Sequence, residues 1–102
     1  MDNLCLIIDD NDSAGAMVDL GNMQERLTAF GFDVTVTDGH DMDSLEKTFS
    51  DLLFEKNGRP KAVIAKTIRG YGSPTMTDHD IWFHKAPNAE ELALLEQEVD
   101  AF

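Results

Sequence analysis

Two polar segments hold the side chains best suited to bind a ligand. The first is Asp9-Asp10-Asn11-Asp12-Ser13, which follows the apolar run Leu4-Cys5-Leu6-Ile7-Ile8. The second is Lys66-Thr67-Ile68-Arg69-Gly70-Tyr71-Gly72, which follows the apolar run Ala62-Val63-Ile64-Ala65. Hard oxygen donors in the first suit Mg²⁺, and the lysine of the second suits phosphate oxygens. In open parallel sheets, ligands gather outside the carboxyl ends of the strands, which is where both segments fall. Spacing alone leaves a plainer reading open. Acidic turns after strands are common, and a lysine that ends a strand often snorkels or pairs with a carboxylate.

The elements that must position these segments are legible from periodicity. The continuous apolar run 4–8 suits a strand covered on both faces. Residues 33–37 are β-branched and alternating, and 61–66 are apolar between lysines. Leu20, Met23, Leu27 and Phe30 recur at helical steps, with Gly31 as the stop. Met42, Leu45, Phe49, Leu52 and Leu53 repeat the pattern, with Asn57-Gly58 as the stop, and Leu92, Leu95, Val99 and Phe102 repeat it again. Asp41 is placed to cap the second helix, with His40 in the turn before it. Asn88 and Glu91 stand at capping-box spacing ahead of the third. The expected fold class is therefore α/β: a parallel sheet with helices on both faces, joined by right-handed crossovers. Residues 69–87 are expected to form a long loop carrying Trp82, His79 and His84, a length that usually signals function or disorder.

At 102 residues the chain suffices for one small domain. A net charge of −12 opposes phosphate backbones, so nucleic-acid binding is not expected, and a phosphorylated ligand would need a local device such as a metal or a placed lysine. The lone cysteine, Cys5, cannot form an internal disulfide and is expected as a small core residue in a strand of a cytoplasmic protein. The longest apolar run is too short to span a bilayer, and no signal peptide is legible. The first strand opens almost at Met1 with apolar side chains on both faces, so another chain is expected to complete the sheet.

Five segments in order resemble the transketolase family. Residues 3–11 resemble the segment ending in the family's metal-binding asparagine, and 28–34 resemble its Ala-Phe-Gly-Trp-x-Val. Asp38-Gly39-His40-Asp41 matches its Asp-Gly-His-Asp, and 65–73 match its Lys-Thr-x-x-Gly-x-Gly run. Residues 82–88 resemble its Trp-His-Gly-Lys-Ala-Pro-Asn or His-Gly-Ala-Pro motif.

The resemblance implies that 1–102 is part of a thiamine-diphosphate-binding domain whose upstream portion lies elsewhere. It implies transfer of a two-carbon ketol unit between sugar phosphates with thiamine diphosphate and Mg²⁺. Asn11 would ligate the metal through its side-chain oxygen and Ser13 through its backbone carbonyl. Lys66 would lie near the diphosphate. His84 would lie beside the thiazolium and the sugar, orienting substrate or moving a proton. Another transketolase chain would supply the family's Gly-Asp-Gly aspartate and the glutamate that activates the cofactor.

The resemblance has gaps. The segment Asp12-Ser13-Ala14-Gly15-Ala16-Met17 departs from the family's glycine-containing loop. That departure keeps a non-catalytic structural subunit open as an alternative, beside a deoxyxylulose-phosphate synthase type and an unrelated phosphoryl-binding module. Counting from Trp82 puts Phe83 at the histidine position of one motif form, whereas His84 fills it in the other and is the only histidine present. His84→Ala is accordingly expected to lower turnover more than cofactor affinity, and Phe83→Ala to disturb loop packing. Steady-state kinetics showing the reverse would move the register by one residue.

Overall fold

In the computed structural model, residues 1–11, 21–77 and 86–102 are described. They form two compact units, Met1–Thr67 and Ile68–Phe102. In the first unit, β1 (Cys5–Asp10), α1 (Met23–Ala29), β2 (Asp33–Asp38), α2 (Met42–Phe54) and β3 (Lys61–Lys66) follow one another. The second contains α3 (Pro74–Thr77) and α4 (Ala89–Ala101).

The strands form a parallel sheet in the order β1-β3-β2, as the alternation of strands and helices implies. The last strand in sequence is thus the central one, and it is the most buried: Ala62, Val63, Ile64 and Ala65 are all buried. Their side chains alternate between faces. On one face Ala62 and Ile64 pack with Leu27 of α1, joined by Ile8, Met23, Phe32 and Val34. Val63 and Ala65 point to the other face and are equally buried. The chain crosses the sheet one way through α1 and returns through α2. Right-handed connections running in opposite directions place their helices on opposite faces, which accounts for the burial on both sides.

The helix ends follow local chemistry. The Asn22 side chain accepts from the Glu25 amide at 3.0 Å and starts α1, and Gly31, at φ +93°, adopts the left-handed conformation that ends it. Asp41 caps α2 by accepting from the Asp43 amide at 3.1 Å and the Ser44 hydroxyl at 2.8 Å, with His40 in the turn before it. The Ser44 bonds and the Asp43 amide hold the Asp41 carboxyl below its ordinary value. The capping box of α4 is complete, with Asn88 and Glu91 each accepting from the other's amide.

Four expectations need correction. β1 and β2 run on through Asp10 and Asp38, so these acids are ladder residues rather than turn residues. The segment 69–87 is not wholly loop. Ser73 and Pro74 start the helical turn α3, with the Ser73 carbonyl accepting from Thr77 at 3.0 Å. Cys5 lies in a strand as expected but is exposed, because β1 is an edge strand whose outer residues lack cover among the described residues. α2 stops at Phe54, before Asn57. Leu45, Phe49 and Leu52 are half-buried there, but Met42 and Leu53 are exposed.

Asn57 has a different task. Its Oδ1 accepts from Lys61 Nζ at 2.6 Å, and its Nδ2 donates to Asp33 Oδ2 at 3.1 Å. Lys61 Nζ also reaches Asp33 Oδ2 at 3.2 Å. This triad ties the amino ends of β2 and β3 to the turn between α2 and β3. The Lys61 side chain is only 3% exposed, so its charge needs these partners. In the second unit, Glu98 of α4 accepts from the hydroxyls of Ser73 and Thr75, the latter at 2.5 Å, which holds α3 against α4 and keeps the Glu98 carboxyl below its ordinary value.

The Asp33 carboxyl is held below its ordinary value by the bonds from Lys61 and then Asn57. A depressed carboxyl stabilises the fold above its unfolded value, and the contribution disappears as pH falls through the folded value. Asp33→Asn leaves the buried ammonium without a counter-charge. Because Asp33 is half exposed, the expected cost at neutral pH is only about 1–2 kcal/mol. Urea unfolding should show this loss, together with a shallower decline of stability between about pH 5 and pH 3 in the variant than in the wild type.

Candidate functional site at the carboxyl end of the sheet

The parallel register aligns the three strand ends in one row. Asp10 of β1 stands opposite Lys66 of β3, and Lys66 stands opposite Asp38 of β2. Backbone bonds extend the row by one residue. The Thr67 amide donates to the Asp10 carbonyl at 3.0 Å, and the Gly39 amide donates to the Lys66 carbonyl at 2.8 Å. Asp10 and Lys66, 56 positions apart in sequence, are thus locked side by side.

The side chains form a charged group on this frame. Lys66 Nζ lies 2.5 Å from Asp10 Oδ2, and the Thr67 hydroxyl donates to the Asp9 carboxylate. Asp38 Oδ1 accepts from the His40 amide at 2.9 Å, which shapes the turn into α2. Asn11, half-buried, comes directly after β1. Three carboxylates, Asp9, Asp10 and Asp38, therefore share this end with the Lys66 ammonium. A surface with that balance attracts a divalent cation and admits a polyanion only beside one. Asp10 and Lys66, with Val36, Ile64 and residues 21–24, line an open cavity of about 440 Å³. That volume is within the range of small-molecule sites.

Of the residues singled out from sequence, Asn11 and Lys66 both lie at the carboxyl end of the sheet. Lys66 meets the Asp10 carboxylate here. Ser13 and His84 lie outside the described residues, as do Asp12, His79, Trp82 and Phe83. The donors present are of the kind that Mg²⁺ and a diphosphate require: hard oxygens and an ammonium at a strand end. Among the described residues, however, no group of three His, Cys, Asp or Glu side chains converges on one point, so these residues fit the metal in chemistry without completing its coordination.

The sequence pattern of the family described as the transketolase thiamine-diphosphate-binding domain matches residues 1–100. The chain belongs to this family. It is 33% identical over 104 residues to one of the subunits of apulose-4-phosphate transketolase from Phocaeicola vulgatus, covering 97% of this chain and 37% of that protein. It is 36% identical over 100 residues to transketolase-like protein 1 of Macaca fascicularis, covering 91% of this chain and 16% of that one. Transketolase of Pongo abelii is 33% identical over 98 residues, covering 91% and 15%. The chain thus spans little more than a third of the Phocaeicola vulgatus relative and a smaller share of the others. Family membership removes the unrelated phosphoryl-binding module as a reading. No helix among the described residues is long and apolar enough to cross a membrane.

Sequence reasoning did not find the roles of Asp9, Asp10, Gly39 and Thr67. Asp9 and Asp10 were visible as acids after an apolar run, but their partners are set by strand register. Gly39 was visible as part of a turn motif, without a reason for glycine. A β-carbon there would stand 2.4 Å from Thr67 Cγ2 and 3.0 Å from the Lys66 carbonyl. The β2–α2 turn can therefore approach the end of β3 only without a side chain. Gly39→Ala is expected to destabilise the chain by about 1–3 kcal/mol. Adding Thr67→Ser, which removes the nearer obstructing atom and keeps the hydroxyl for Asp9, should recover part of the loss. A double-mutant cycle by urea unfolding measures that coupling.

Proposed function

We propose that this chain is the diphosphate-side part of a transketolase-type enzyme that works as an assembly with a second chain. The reaction is transfer of a two-carbon ketol unit between sugar phosphates with thiamine diphosphate and Mg²⁺. The observation that carries this reading is the row of strand ends, where Asn11 and Lys66 stand at the carboxyl edge of a parallel sheet in a chain of this family.

Bound thiamine diphosphate supplies the electron sink for carbon–carbon bond cleavage. The chain's own residues bind and orient. Asn11 gives its amide oxygen to Mg²⁺, Ser13 a backbone carbonyl, and Lys66 an ammonium toward the diphosphate. His84 orients the sugar or carries a proton beside the reacting carbon. A cytoplasmic location goes with this reading.

Two observations support an assembly. Relatives from Phocaeicola vulgatus and Actinobacillus succinogenes are each named as one subunit of a transketolase. In addition, among the described residues β1 is an edge strand with Leu6 37% and Ile7 57% exposed, an apolar open edge of the kind that serves for pairing with another chain. The second chain would pair with this edge, complete the domain, and supply the remaining metal aspartate and the activating glutamate. The isolated chain is then aggregation-prone and without ketol transfer.

The test is purification of the chain with the proteins that accompany it, followed by titration with thiamine diphosphate at fixed Mg²⁺. The assembly is expected to bind the cofactor, and Asn11→Ala to weaken binding by at least about tenfold, roughly one metal–ligand bond, with an unchanged circular dichroism spectrum. Equal affinity in wild type and variant would remove Asn11 from the site. A stable monomer that transfers ketol units without partners would overturn the assembly.

A further inference from the structure

Asp9 and Asp10 are adjacent, equal in charge and different in task. Successive residues of a strand point to opposite faces. The Asp9 carboxylate accepts from the Thr67 hydroxyl, whereas Asp10 Oδ2 meets Lys66 Nζ at 2.5 Å and lines the same cavity as that lysine. The Asp10 and Lys66 side chains are 28% and 57% exposed, so the pair is open to a competing ion. It closes the last rung between β1 and β3, directly before Asn11.

We infer that Asp10 is a positioning residue that sets the divalent-cation requirement of diphosphate binding. Its carboxylate holds the Lys66 ammonium over the strand ends and cancels its charge. Asp9 and Asp38 then leave this end of the sheet repulsive to a bare diphosphate. A divalent cation beside Asn11 reverses the local field and competes with Lys66 for the Asp10 carboxylate. The ammonium is thereby released toward the diphosphate at the same moment that the cation arrives. The inference rests on the functional reading above and adds an order to it: cation first, polyanion second.

The experiment is calorimetric titration of thiamine diphosphate into the purified assembly, once at fixed Mg²⁺ and once in EDTA. The ratio of the two dissociation constants is the readout. For Asp10→Asn the affinity in EDTA is expected to rise about tenfold and the affinity with Mg²⁺ to fall, so the ratio narrows. Asp9→Asn removes the same charge one residue away but leaves the Asp10–Lys66 pair in place, and is expected to narrow the ratio far less than Asp10→Asn does. Asp10→Glu, which retains the carboxylate, should keep the wild-type ratio. Variants are compared only where circular dichroism matches the wild type, with Asp10→Ser as the substitute should Asp10→Asn fail to fold. An unchanged ratio in the Asp10 variant, or equal narrowing in the Asp9 variant, overturns the inference while leaving the functional reading intact. Absence of cofactor binding by the wild-type assembly at saturating Mg²⁺ sinks both.

Discussion

The in-register pairing of β3 between β1 and β2 is the constraint on which the rest of the first unit depends. It buries β3 at the centre, where both faces can be covered. All three strands also end together in it, and a parallel ladder without bulges keeps those end residues abreast. Asp10, Lys66 and Asp38 share a row for that reason alone. Slipping β1 by one residue would exchange Asp9 for Asp10 at the cavity and turn Ile8 away from the core it joins. Core packing and site geometry are therefore set by the same register.

The two lysines of β3 show how position determines what a charge does. Each stands at one end of the same strand and each meets an aspartate of a neighbouring strand. Lys61, at the amino end, is buried and surrounded by Asp33 and Asn57, and there its charge serves to join β2, β3 and the turn before β3. Lys66, at the carboxyl end, is more than half exposed beside an open cavity, where a paired ammonium can exchange partners at small cost. The same side chain is a structural tie in one setting and available to a ligand in the other.

The acidity of the chain has a comparable division of labour. Asp33, Asp41 and Glu98 have carboxyls held below their ordinary values by hydrogen bonds that tie one element to another or cap a helix. Asp9, Asp10 and Asp38 gather at the site end. Several of the acids thus make specific bonds rather than serving only as solvated charge. What remains exposed and apolar is concentrated on β1, on the outer residues of α2 and on α4, where Leu92, Leu94 and Val99 face solvent.

Much of the fold was legible in the residues themselves. The apolar run of β3, the helical spacing and cap of α2, the glycine stop of α1 and the capping box of α4 are local properties, determined within a few residues by propensity and hydrogen bonding. The family motifs were legible for the same reason, and with them Asn11 and Lys66 as candidates. Strand order, the burial of Lys61, the exposure of Cys5 and the pairing of Asp10 with Lys66 were not legible. Each depends on which strand lies beside which, and that is decided by long-range packing, between residues 56 positions apart in the case of Asp10 and Lys66. Gly39 joins both categories. Its turn was readable from sequence, but the absence of room for a β-carbon was decided only when Thr67, from the far end of the unit, came to rest against it.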